Sequence, residues 1–114
     1  MPQIIVHSEN DGRARVKAQL VNALRACLIE TLELRPEQGQ VMLYETLPIH
    51  RAVDGDKNGM IFVEIKMVSG RTDEMKHNLA DGIIEIISQE MELEKSRVMC
   101  LIEEYEAKAY IIGK

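Results

Sequence analysis

A chain of 114 residues, 46% apolar and 29% charged, has the size and balance of one ordinary globular domain. Its net charge of −5 and its 4% aromatic content argue against nucleic acid, which needs a basic surface or a stacking platform. The apolar runs stay short of the ~18 residues of a membrane span, and no charged leader is recognisable, so a cytoplasmic protein without membrane partners is expected.

The chain opens "MPQIIVH", an extended apolar run that reads as a strand. A small second residue favours removal of Met1, which would leave Pro2 as a free secondary amine. Such an amine is either a plain chain end, where proline lacks only a donor that an edge can spare, or a base. A helix follows from about Arg13 to Leu32, with Val16, Leu20, Leu24, Cys27 and Leu28 as its buried face. Val41-Met42-Leu43-Tyr44-Glu45 is a second apolar run. The stretch "TLPIHRAVDGDKNG", Thr46 to Gly59, is the one long loop, with His50 and Arg51 at its centre, either reaching a pocket or simply solvated. Ile61 to Met67 alternates and is a strand. Thr72 caps the next helix, whose first turn carries Asp73 and Glu74 against the dipole. Met75, Leu79, Ile83, Ile86, Ile87 and Met91 follow at helical spacing, and Val98 to Glu103 is the closing strand. Cys27 and Cys100 read as reduced core thiols, too far apart in sequence for a redox or metal motif. His7 and His77 carry no metal-ligand spacing, and the methionines follow the core periodicity.

The two halves repeat each other. Residues 2–6 fall on 60–64 and Gly12-Arg13 on Gly70-Arg71. After one inserted residue, Leu20, Leu24, Leu28 and Leu34 fall on Leu79, Ile83, Ile87 and Leu93. Strand, long helix and strand imply a right-handed crossover between parallel strands. The expected fold is therefore α+β: duplicated β-α-β units, about residues 2–45 and 60–104, joined by the loop 46–59 within a single domain. They form a four-stranded mixed sheet with both helices on one face. Ile4, Val6, Val41, Leu43, Phe62, Met99 and Leu101 are too many apolar strand residues for one covered side, so the second face needs a partner, most simply further copies of the chain.

Residues 60 to 113, with the strand, "SGRTDEMKHNL", "SRVMCLIEE" and the tail "AYIIG", resemble a 4-oxalocrotonate tautomerase subunit. Two such units with "MP" heading only the first resemble the longer members of the tautomerase superfamily, among them 5-carboxymethyl-2-hydroxymuconate isomerase, malonate semialdehyde decarboxylase and the macrophage migration inhibitory factor group. The resemblance implies a homotrimer and a cofactor-independent keto-enol tautomerase. In such an enzyme an amino-terminal proline is the general base and arginines hold the carboxylate of a small α-keto or enol acid.

Carried onto this chain, the resemblance makes Pro2 catalytic and Arg71, Arg97 and Tyr110 substrate-binding. The chemistry fits the residues on its own terms. An α-amino group titrates near about 7.7–8.0, and apolar neighbours such as Ile4 and Phe62 lower that value toward neutrality. Arg71 stands at a helix entry, where amides and the dipole already favour an anion, and can grip a carboxylate through two parallel bonds. Arg13, the repeat equivalent, lacks the acidic turn that follows Arg71. Arg97 matches the family's second arginine when aligned from "SR"; aligned back from Glu104, Met99 takes that place, and the register matters because a shift of one residue flips a strand side chain to the other face. Tyr110 falls where the simple tautomerases carry a phenylalanine over the site. Val68 and Ser69 stand before "GR", where dehalogenating and decarboxylating relatives carry an acidic residue or an arginine, which argues against that chemistry. The rival reading is a trimeric binding or structural protein that keeps the fold without catalysis.

Overall fold

Strict alternation decides which side of the sheet each strand residue takes. The structure, a computed structural model, describes residues 2–47, 50, 52 and 60–114. In β1 (Gln3–Glu9) every second residue is buried, namely Ile4, Val6 and Ser8. The strand β3 (Ile61–Val68) repeats the pattern with Ile61, Val63, Ile65 and Met67. These two strands lie antiparallel at the centre, Ile4 opposite Ile65 and Val6 opposite Val63. Each has a parallel edge strand: β2 (Gln40–Thr46) beside β1 and β4 (Val98–Tyr105) beside β3, giving the order β2-β1-β3-β4. Parallel neighbours need a crossover, supplied by α1 (Ala14–Leu32) and α2 (Asp73–Met91). The result is the expected four-stranded mixed sheet built from β-α-β units. The strand β2 runs through Thr46, a residue assigned to the long loop on sequence grounds; most of that loop lies outside the described residues.

Both helices bury a stripe at four-residue steps: Leu20, Leu24, Leu28 and Leu32 on α1, Leu79, Ile83, Ile87 and Met91 on α2. The stripe is narrower than the sequence suggested, so Val16, Cys27, Met75 and Ile86 sit half-buried at its margins. Both cysteines are free thiols at that margin rather than in the core, and burial pushes the Cys100 thiol up to about 11, where it is unreactive. The helices touch closely at Gly82, where a Cβ would stand 2.9 Å from Cys27 Sγ.

The duplication extends to the backbone. Gly12 and Gly70 take positive φ ahead of the helices, at 79° and 121°, and Glu33 and Glu92 close them with φ of 54°. After each closing residue the chain turns back through a Schellman-type bond, Leu34 N–H to Ile29 O at 2.9 Å and Leu93 N–H to Ser88 O at 3.0 Å. A glycine ordinarily marks such an end; here glutamate does it.

The helix starts differ. Thr72 Oγ1 accepts the Met75 N–H at 3.2 Å, as expected of a cap. α1 has no side-chain cap, because Arg13 at that position offers only donors; its guanidinium donates to Asp11 Oδ2 at 3.0 Å and to Met91 O at 3.0 Å. Met91 is the last residue of α2, so Arg13 satisfies a carbonyl at the negative end of the neighbouring helix.

Two repeat-equivalent lysines tie the helices to the sheet edges. Lys17, 5% exposed, donates to Asp11 at 2.8 Å, to Glu45 at 2.7 Å and to the Glu9 carbonyl. Lys76 makes the matching bridge to Glu104 at 2.9 Å, with Asp73 at 3.3 Å. Burial alone would raise the Asp11 carboxyl, but hydrogen bonds from Lys17 and Arg13 outweigh it and hold the group down at about 2.

The other face of the sheet carries no element of the chain among the described residues. Of the apolar strand residues, Ile4, Val6, Val41 and Leu43 turn toward the helices, while Phe62, Met99 and Leu101 turn to this open face beside Ile5, Met42 and Tyr44. Met42, Tyr44, Met99 and Leu101 are exposed there. At its centre His7 Nε2 lies 2.6 Å from Glu64 Oε2, its ring stacked on Phe62 at 5.8 Å. That bond holds the Glu64 carboxyl below its ordinary value. No described helix is long and apolar enough to cross a membrane.

Because the Asp11 carboxyl is depressed when folded, its stabilisation is present above the unfolded value near 3.9 and is lost as pH falls toward about 2. Asp11→Asn should therefore cost roughly 1–2 kcal/mol at neutral pH, after allowance for solvent screening. The gap to wild type should close between about pH 4 and pH 2. Denaturant midpoints measured across that range test this, and a gap independent of pH would contradict it.

Candidate active site

The register of β1 on β3 fixes the place of Pro2. Gln3 lies opposite Lys66, so Pro2 comes next to Met67, near the end of β3. On its other side Pro2 O accepts the Gln40 N–H at 3.3 Å, where β2 begins. Pro2 is buried, between fully buried Met67 and buried Gly39. Gly39 itself abuts Leu28 and Ile29 of α1, 3.2–3.4 Å from where a Cβ would stand. The strand neighbours of Pro2, Met67 and Gly39, are thus buried.

One residue past β3 the chain turns. Ser69 N–H donates to Tyr105 O at 2.9 Å, and Gly70, at φ 121°, takes a conformation that side-chain-bearing residues rarely adopt. Arg71 follows, half-buried, one guanidinium N–H reaching Val68 O at 3.5 Å, at the limit of a hydrogen bond. Pro2 from the first repeat and Arg71 from the second thus come to the same end of the sheet.

Tyr110 joins them through a tight turn. After β4 the N–H groups of Ala109 and Tyr110 bond back to Glu106 O and Ala107 O at 2.9 and 3.1 Å. This lays the Tyr110 ring on Tyr105, centroids 6.0 Å apart and 16° from parallel. Burial, and then the neighbouring Tyr110, raise the Tyr105 phenol, while the Arg71 charge pulls the other way. Tyr105 was not singled out from the sequence. Its signals were strand alternation, which sets it beside Val68, and its five-residue separation from Tyr110 across a turn.

Arg97 is not brought to Pro2 within the chain. It closes the short turn Lys95–Arg97 just before β4, whose first residue pairs with Ile61. It stands before Val98, whereas Met67 is level with Glu104, a distance along the strand on the order of 20 Å. Met99, the alternative alignment, points to the open face opposite Phe62. Arg13 lies near the Arg97 end, committed to Asp11 and Met91, and Met60 occupies the repeat position of Pro2. His50 is exposed, its N–H bonded to Leu47 O at 2.9 Å; Arg51 lies outside the described residues.

An open groove of about 360 Å³ runs along the α1–β2 edge, lined by Val21, Val41, Leu43, Lys17 and Glu45. None of Pro2, Arg71 and Tyr110 lines it. Among the described residues no three His, Cys, Asp or Glu side chains are grouped to hold a metal.

A sheet whose halves are duplicated β-α-β units in antiparallel apposition defines a class of small α+β proteins, and comparison with known proteins narrows it. Residues 62–114 match the model of the tautomerase enzyme family. Over 54 residues the chain is 32% identical to the 2-hydroxymuconate tautomerase of Bacillus subtilis (strain 168), covering 47% of this chain and 87% of that one. The chain belongs to the tautomerase family, and its activity class is that of an isomerase. Both sequence matches are too short to span two repeats, and the family match lies wholly in the second. The solved structures show that the fold extends to the first. Native fused 4-OT superposes with a TM-score of 0.89 at 20% identity, covering 97% of this chain and 92% of that one. A fused 4-OT symmetric trimer gives 0.84 at 19% identity, covering 91% and 85%. Macrophage migration inhibitory factor of Toxoplasma gondii gives 0.82 at 11% identity, covering 97% and 96%.

Proposed function

We propose that the protein is a cofactor-independent keto-enol tautomerase of small α-keto or enol carboxylates, with the Pro2 amine as general base. The observation that carries this reading is the β1–β3 register, which sets buried Pro2 and the Arg71 turn at one end of the sheet. With Met1 removed, Pro2 is a secondary amine whose surroundings favour the neutral form. It takes a proton from the enol hydroxyl, or from the carbon next to a carbonyl, and returns it elsewhere on the conjugated system. Arg71 holds the carboxylate, and its positive charge favours the electron-rich dienolate passed through on the way. Tyr110 forms part of the aromatic wall of the site.

The same reading takes the open sheet face as the contact of a homotrimer, the state in which two fused 4-OT relatives are described. Arg97, remote from Pro2 in its own chain, serves a site only across such a contact, gripping the substrate of a neighbouring copy. Light scattering at micromolar concentration should give three times the chain mass; a stable monomer would contradict the assembly and Arg97's role together.

Arg71→Ala should raise KM for an enol carboxylate such as 2-hydroxymuconate and cost roughly 1.5–3 kcal/mol in kcat/KM, the loss of a charge-assisted pair. Steady-state kinetics within twofold of wild type would return Arg71 to a solvated helix entry.

Pro2→Ala keeps a small second residue, so Met1 is still removed and a primary amine replaces the secondary one. The loss in kcat/KM should fall toward the lower end of the ~10²–10⁴ typical of general-base catalysis. In wild type, kcat/KM should rise with pH through one ionisation below about 7.7, as the amine becomes neutral. In the variant that limb should move. Full activity with an unmoved limb would assign the base to another residue, and an intact mass retaining Met1 would exclude Pro2 directly.

A further inference from the structure

Tyr105 and Tyr110 form a continuous aromatic surface next to Arg71. Their rings stack at 6.0 Å and 16°. Both ends of that stack are held by backbone. Tyr105 is the last residue of β4, opposite Val68, and its carbonyl takes the Ser69 N–H at 2.9 Å. Tyr110 is returned onto it by the Ala107–Ala109 turn. The Arg71 charge is close enough to act on the Tyr105 phenol. Pro2 lies one strand spacing to the far side of β3 and Tyr105 one spacing to the near side, so their backbones stand about 10 Å apart at the same end of the sheet. A small substrate with its carboxylate on Arg71 can present its unsaturated arm to a ring face that is already ordered.

We propose that Tyr105, clamped by Tyr110, determines specificity at this site by stacking on the planar, conjugated arm of a carboxylate ligand held by Arg71. This rests on the reading of Arg71 as the carboxylate binder. A flat π-system meets a flat ring with offset-stacking geometry, whereas a saturated chain of equal length folds in several rotamers and loses both the contact and its entropy. The selectivity is thus for conjugation, with charge recognition left to the guanidinium.

The test is binding rather than turnover, so that it stands apart from the chemistry of Pro2. Titration calorimetry compares muconate, a conjugated six-carbon dicarboxylate, with adipate, its saturated counterpart of the same length and charge. Wild type should prefer muconate. Tyr105→Leu, which keeps apolar bulk and removes the π-face, should weaken muconate by about three- to tenfold, the worth of an aromatic contact. Adipate should stay within twofold, and Tyr105→Phe should retain the preference. Arg71→Ala should weaken both ligands. A merely structural Tyr105 would weaken both ligands alike in the leucine variant, and that result would overturn the inference, as would a wild type without preference. If Arg71→Ala leaves both ligands unaffected, it is the carboxylate role of Arg71 that falls; loss of turnover alone touches neither conclusion.

Discussion

The antiparallel pairing of β1 with β3 is the constraint from which the rest follows. Each β-α-β unit alone is a two-stranded parallel ribbon with one helix, too small to bury its apolar residues. Apposing two of them puts Ile4 against Ile65 and Val6 against Val63 and makes one core beneath both helices. The same pairing sends the start of one unit to the end of the other. Pro2 therefore comes to the same end of the sheet as Arg71 of the other repeat rather than Arg13 of its own. A slip of one residue would turn Ile4 and Val6 out of the core, so the register that secures stability also secures the site.

Much of this was legible in the sequence. The alternation of Ile61 to Met67, the helical spacing of Leu79, Ile83 and Ile87, and the Thr72 cap each depend on nearest neighbours in the chain, and each appears where expected. The duplication implied the four-stranded mixed sheet, because two crossover units have to share a core, while the order of its strands came only with the structure. The features that escaped depend on contacts distant in sequence. Lys17 is buried on α1 because Asp11 and Glu45 neutralise it from two other segments. Glutamates at the left-handed helix ends carry no local signal of a stop. Tyr105 gains its place only when the tail folds back.

The candidate site divides along the same line. Pro2 and Arg71 could be joined on paper through the repeat, since both lie at defined points of equivalent units. Arg97 could not be placed by that means, for its position depends on whether a strand is counted from its beginning or its end. The geometry sets it at the other end of the sheet from Pro2.

Fusion has made the two ends of the sheet chemically unequal. An assembly of identical single units must repeat every residue at every equivalent position, so a change that harms one end harms all. Here the end headed by Met60 answers to different demands. Arg13, the counterpart of Arg71, spends its guanidinium on a carbonyl of α2, becoming a strut where its twin remains half-open beside a glycine turn. One end is braced across the helices by that bond, while the other keeps its guanidinium at the limit of a hydrogen bond to Val68 O. Substitutions should accumulate at the two ends at different rates, an asymmetry in evolutionary freedom that the symmetric backbone does not disclose.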